Sequence, residues 1–377
     1  MENMADTLDT VDVADTTGQI FTGILGNTGA LGSLERDLAS GPSHAYLFHG
    51  PPGVGKQTVA RLFGAALVAG GDEQAEDRAR RGLHPDLYEV EPDGAFTTIG
   101  QVREVVRLAS GRPFEGARRV FILRADTLNV QAANALLKTL ESPEAGTVFV
   151  LVAASLEGVL PTVVSRSRPV RFNPVPEEEL AGFLSSRGVP DADARLAASL
   201  GRGSVGLALR YGSGDGLRDL REAVIGAGLD FGADFESRHE GASRIVERAE
   251  AVGERRGSAY LGETEEPDRR AKDAAKRAGR AARDGAVREA LDLLALLYRD
   301  AAVISAGAPE IAANTDRSDE LGELASRYPG ADWAGAASEA TDEKAALTYN
   351  VSPEAVLGEA LSRARRRILG PRHVERG

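Results

Sequence analysis

Between about residues 17 and 174 the chain alternates short apolar runs with amphipathic stretches. Five runs have the length and composition of strands: 45–49 (AYLFH), 87–91 (LYEVE), 119–123 (RVFIL), 147–154 (TVFVLVAA) and 169–172 (PVRF). Their apolar residues are largely consecutive rather than alternating, as suits strands covered on both faces. Helices are predicted between them. In NVQAANALLKTLESP, Asn129 is placed to cap a helix, Ala133, Leu136, Leu137 and Leu140 form one apolar stripe, and Pro143 ends it. Strands alternating with helices predict an α/β domain with a mainly parallel sheet.

The pattern then changes. Residues 175–213 read as short helices broken at RGVPDAD and GRGS, a small helical subdomain. Residues 214–377 are rich in Ala, Glu and Arg with few strand signals, which predicts a third, all-helical domain. Within it, 265–289 is highly charged and poor in large apolar residues. It reads as a solvated helix or linker rather than as a DNA-binding arm. Residues 1–16 are acidic and polar, the composition of a flexible tail.

Composition narrows the function. With 377 residues, 42 % of them hydrophobic and 27 % charged, the chain can build two or three globular domains. It has no Cys, so disulfides and thiolate metal sites are excluded, and its five scattered His residues show no metal-ligand spacing. A net charge of −12 opposes nucleic-acid binding by bulk electrostatics, so any DNA contact must be local or made within a complex. The first residues lack the basic and apolar regions of a signal peptide, and no run of about 18 apolar residues occurs. A cytoplasmic protein without membrane partners is expected.

Residues 49–58, HGPPGVGKQT, carry the strongest chemical signal. Gly50, Gly53, Gly55 and Lys56 fit a loop whose backbone N–H groups, lysine and helix N-terminus converge on nucleotide phosphates. Gln57, however, stands where a Ser or Thr would hold Mg²⁺, and Thr58 comes one residue late, about a quarter-turn away on a helix. Hydrolysis assisted by Mg²⁺ is therefore not expected; binding of ATP or ADP and a vestigial loop both fit the pattern. Asp126, the only acid near the end of the 119–123 strand, reads as a turn residue.

Taken together, HAYLFHGPPGVGK (44–56), HPDLYEVEP (84–92), VREVVRLAS (102–110), NALLKTLESP (134–143) and VVSRS (163–167) resemble the clamp-loader subunits of bacterial DNA polymerase III, members of the AAA+ superfamily. The likeness spans about 20–210, with LTYNVSPEAVLGEAL (347–361) as its only C-terminal match. It implies an AAA+ phosphate-loop domain (17–174), a helical lid (175–213) and a helical collar (214–377). The departures resemble the delta-prime type more than the gamma/tau motor type. Counted back from NALLK, the motor's Asp-Glu pair falls on Leu123 and Arg124, and Gly206 stands where the motor has its second sensor arginine. The family's zinc cysteines are also missing from 69–86, so no zinc is expected.

What persists is Ser165-Arg166-Ser167, where the family carries Ser-Arg-Cys. The resemblance implies that Arg166, with Ser165 beside it, reaches into a neighbouring subunit's ATP site. An isolated arginine of this kind would otherwise read as a local ion pair. By the same resemblance, the partners are gamma/tau and delta subunits in a hetero-pentamer, the sliding clamp and primer-template DNA. The chain would belong to a DNA-directed DNA polymerase (nucleotidyltransferase) holoenzyme in DNA replication while contributing little ATPase itself. An active motor ATPase and a pure interaction module are the alternatives; the first requires the acid pair that is absent here.

Overall fold

The computed structural model of the chain describes residues 20–92, 96–213, 216–231, 234–261, 269–349 and 351–370. The 1–16 segment expected as a tail lies outside them. The chain divides into two compact units. One runs to Phe183 and adds Arg202–Gly206; the other takes Leu184–Gly201 and Leu207 onward. The 175–213 segment is thus shared between them.

The first unit begins with α1 (Thr28–Ser40) and continues as β1 (Ala45–His49), α2 (Lys56–Ala69), α3 (Glu73–Arg80), β2 (Leu87–Val90), α4 (Ile99–Ala109) and β3 (Arg119–Arg124). There follow α5 (Val130–Glu141), β4 (Thr147–Ala153), the single turn α6 (Pro161–Val164) and β5 (Arg168–Arg171). All five predicted strands are present, each within a residue of its expected ends. They form one parallel sheet in the order β2-β3-β4-β1-β5.

The strand runs are apolar because both faces are buried. Tyr46, Phe48, Val120, Ile122, Val148 and Val150 point to the side covered by α1 and α2, where they meet Leu34, Val59 and Phe63. Their neighbours Leu47, Phe121, Leu123, Phe149 and Leu151 point to the side covered by α4 and α5, against Val102, Val105, Leu136 and Leu140. Helix ends follow the sequence. Asn129 accepts the Ala132 N–H and starts α5, which stops at Glu141, two residues before Pro143. Thr98 and Gln101 form a reciprocal capping box at the start of α4.

One buried carboxylate ties this sheet to its loops. Asp86, just before β2, accepts the N–H groups of Phe114, Glu115 and Gly116 at 2.7–2.9 Å and Arg119 Nε at 3.0 Å. Burial alone would raise its pKa, but these donors hold it below the ordinary carboxylate value.

The strand order fixes where a ligand could lie. β1 sits between β4 and β5, and the chain leaves it for the far edge at β2 before returning. Strand order reverses at β1, and the crevice beyond the carboxyl ends of the strands at such a point is the usual ligand position in open parallel sheets. The 49–55 loop occupies it.

The described part of the second unit is built of helices joined by short turns. The helices are α7 (Glu177–Ser186, begun in the first unit), α8 (Asp191–Gly201), α9 (Val205–Gly212), α10 (Leu217–Leu229), α11 (Phe235–Leu261), α12 (Arg269–Ser305), α13 (Ser318–Arg327), α14 (Trp333–Asp342) and α15 (Pro353–Leu369). The core around α12 includes Leu291, Leu294, Leu297 and Tyr298, with Trp333 packed near Phe231 and Tyr298. The charged 265–289 segment, from 269 onward, is the first half of α12. It lies against α11 through small residues, so that a Cβ on Gly253 would meet the Gly279 carbonyl at 2.7 Å, and one on Gly279 the Gly253 carbonyl at 2.9 Å. Among the described residues no helix is long and apolar enough to cross a membrane.

Candidate functional site

The glycine loop takes the backbone shape that its residues allow. Gly50, Gly53 and Gly55 have φ of 144°, 76° and 98°, a region disfavoured for side chains carrying a Cβ. At two of them the neighbours require glycine as well: a Cβ on Gly50 would lie 2.0 Å from the Phe172 carbonyl, and one on Gly53 would lie 1.9 Å from Ser204 Oγ. Gly55 then caps α2, with Lys56 as its first residue.

Lys56 is only 7 % exposed, and its Nζ donates to the carbonyls of Gly50 and Pro51 at 2.5 and 2.6 Å. Burial lowers its pKa from 10.5 to about 8; nearby Asp126 pulls it up and Arg124 pushes it down. A desolvated ammonium held inside a glycine loop at a helix N-terminus fits a phosphate anion.

The residues that should hold a metal do not fit one. Gln57 Nε2 donates to Glu89 on β2, a carboxylate that also takes a forked pair of bonds from Arg61 at 2.8–3.0 Å. Thr58 is exposed on α2. At the end of β3, Leu123 is 1 % exposed and packs into the core under α4 and α5. Arg124 turns outward and bonds Asp126 through two contacts of 3.3 Å, while Asp126 also accepts the Ala154 N–H at 3.1 Å. Asp126 therefore secures the β3–β4 ends and neutralises a cation. Gly206 approaches the loop through its backbone, its N–H donating to the Gly53 carbonyl at 3.1 Å. The site has the parts for an anion and lacks those for Mg²⁺.

Arg166 lies elsewhere, in the short connection between α6 and β5. The fold of that connection is local: Ser165 Oγ donates to the Thr162 carbonyl and Ser167 Oγ to the Val163 carbonyl, closing the turn. Arg166 Nε and Nη2 bond Glu141 at the end of α5, and Nη1 bonds the Thr162 carbonyl at 2.9 Å and Ser165 Oγ at 3.3 Å. The guanidinium is about one-third exposed beside an open groove of about 610 Å3 lined by Ser43, His44, Glu141, Ser165 and Arg168. Next to it, Arg168 is anchored by Asp37 and by Ser33 Oγ, and it lies over the Tyr46 ring.

The structure therefore gathers Gly50, Gly53, Gly55 and Lys56 into one loop and keeps Ser165 and Arg166 at another turn. Sequence reading missed Glu89, Glu141 and Ser204, the residues that engage Gln57, Arg166 and Gly53. Glu89 and Glu141 sat inside recognised motifs, but nothing in their spacing named their partners.

Comparison with known proteins agrees with these motifs. The family described as DNA polymerase III, delta subunit, matches residues 26–176. DNA polymerase III subunit delta' of Bacillus subtilis (strain 168) is 32 % identical over 201 residues, covering 51 % of this chain and 60 % of the relative. The subunit of the same name from Escherichia coli (strain K12) is 35 % identical over 184 residues, 46 % of this chain and 55 % of the relative. DNA polymerase III subunit tau of B. subtilis is 30 % identical over 154 residues, 38 % of this chain and 27 % of the relative. The chain thus spans about 60 % or less of the length of these relatives. Through the segment that carries the glycine loop, the altered β3 end and the Ser-Arg-Ser turn, it is similar to DNA polymerase III delta-prime subunits.

Proposed function

We propose that this chain is a clamp-loader subunit that hydrolyses ATP poorly or not at all and lends Arg166 to the ATP site of an adjacent gamma/tau-type motor subunit. The observation that carries this reading is the Arg124–Asp126 pair at the end of β3. A cation stands where a metal-binding acid would be needed, and Asp126, the carboxylate beside it, is taken up by it. Leu123 offers no oxygen, and Gln57 is drawn off by Glu89. The loop and Lys56 are still suited to hold the phosphates of ATP or ADP, which when bound would supply negative charge to match the buried ammonium.

Arg166 acts outside its own chain in this reading. A guanidinium beside a neighbour's γ-phosphate stabilises the charge of the transferring phosphoryl group, an effect of about 10³–10⁵ in rate where such fingers are measured. Its bond to Glu141 is no obstacle. A pair with both members partly exposed contributes about 0–1 kcal/mol, which a phosphate can outbid. The proposed assembly is a pentamer with gamma/tau and delta subunits that opens a sliding clamp and places it on primer-template DNA.

The Arg166–Glu141 pair also favours a second reading, an interaction module whose arginine serves only its own fold. Reconstitution with motor and delta subunits, clamp and primed DNA separates the two. Arg166→Ala should leave assembly intact and reduce DNA-stimulated ATPase by at least about tenfold, far less than the full finger effect, while the purified chain alone turns over ATP negligibly. Undiminished hydrolysis by the intact variant assembly would refute the finger; motor-like turnover by the isolated chain would refute the reading of β3.

A further inference from the structure

We infer that the first half of α12 is a binding surface for the backbone of duplex nucleic acid, independent of base sequence. Between 269 and 288 the chain carries eight basic residues and two acidic ones, within a molecule of net charge −12. At 100° per residue, Arg269, Lys272, Lys276, Arg280 and Arg283 fall within an arc of about 80° and extend along about 21 Å of one helix face. The first four are exposed, and among the described residues none of them makes an ion pair with an acidic side chain. Arg283 pairs with its neighbour Asp284, and Asp273 sits at the margin of the arc.

This arrangement differs from an ordinary solvated helix. Lys272, Lys276 and Arg280 succeed one another at i, i+4 spacing, so like charges face each other along the helix, which destabilises it in isolation. The arginines of α15 are placed otherwise: Arg363, Arg366 and Arg367 each reach a carboxylate of Glu339, Glu343 or Glu359. Repulsion between like charges along one face is relieved by an anionic partner with charges at regular spacing.

The surroundings select among such partners. The stripe has no aromatic or large apolar anchor, which the centre of a protein interface would call for. Insertion into a lipid surface needs a free apolar face. Here the side of the helix adjoining the stripe is small and already taken, with Ala275 buried and Gly279 against Gly253. Phosphates require neither. Between 269 and 288 there is also no Asn or Gln to read adenine and no aromatic side chain on which bases could stack.

The test uses the whole chain, so that acidic Glu263, Glu265, Glu266 and Asp268, which precede the stripe in sequence, compete as they do naturally. Fluorescence anisotropy with a labelled mixed-sequence DNA duplex is followed from 50 to 200 mM salt. Five phosphate contacts predict a slope of log K against log salt of about −4.5. Lys272→Gln, Lys276→Gln and Arg280→Gln combined should make the slope shallower by about 3 and weaken binding at least about tenfold at 50 mM salt, with unchanged circular dichroism. Lys272→Arg with Lys276→Arg should bind as the parent does. Removal of three exposed cations elsewhere, Arg112→Gln, Arg195→Gln and Arg327→Gln, should leave affinity nearly unchanged. Equal losses from both sets, no DNA binding by the parent, or capture of a polyglutamate peptide in preference to DNA would each overturn the assignment.

Discussion

Replacing Lys56 by Met tests the account of the glycine loop most directly. The ammonium is buried and turned onto two carbonyls, and its pKa falls from 10.5 to about 8. At about 1.4 kcal/mol per tenfold, that difference corresponds to about 3 kcal/mol of folding free energy spent on keeping the group charged at neutral pH. Lys56→Met removes this cost but leaves the Gly50 and Pro51 carbonyls without their donor, at about 1 kcal/mol each. The variant should therefore be more stable than the parent by about 1 kcal/mol at pH 7. The sign reverses with pH. Since the unfolded chain binds the proton more tightly between pH 8 and 10.5, the parent regains stability as pH rises through that window, by about 2 kcal/mol relative to the variant between pH 7 and 9.5. Urea unfolding followed by far-ultraviolet circular dichroism at the two pH values measures both quantities. A variant less stable at pH 7, or a difference that ignores pH, would show that Lys56 is well solvated and the loop open.

Two other substitutions probe the same unit. Asp86→Ala should cost about 3–5 kcal/mol, because it strands Arg119 and three backbone N–H groups. The stabilisation from Asp86 is present above about pH 4 and is lost as pH falls through its lower folded value, so Asp86→Asn should flatten the acid limb of a stability–pH profile. Gly53→Ala should destabilise by more than about 2 kcal/mol through its positive φ and the collision with Ser204 Oγ. Adding Ser204→Ala should relieve the Oγ collision but keep Cβ of residue 204 at 3.0 Å, so that part of the loss is recovered and the conformational cost of about 1–2 kcal/mol remains, a non-additivity measurable in a double-mutant cycle.

Much of the first unit was legible because its determinants are local. Consecutive apolar runs gave the strands, Asn129 and Pro143 gave the limits of α5, and three glycines with a lysine gave the loop. The breaks at 187–190 and 202–204 likewise separated α7, α8 and α9. What escaped was pairing across the chain. Gln57 and Glu89 are 32 residues apart, and Arg166 and Glu141 are 25 apart; neither spacing carries a periodic signal. The start of α12 was hard to read for a different reason. Hydrophobic periodicity registers large side chains, whereas this helix adheres to α11 through alanine and glycine, whose contribution is closeness of approach rather than apolar area.

That closeness has a mechanical consequence. Where two main chains touch with nothing between them, neither can roll or bow without forcing the other to follow, so α11 and the start of α12 respond to load as one beam rather than as two threads. Charges mounted on such a beam keep their spacing before anything arrives to meet them, and little freedom remains to be surrendered on contact.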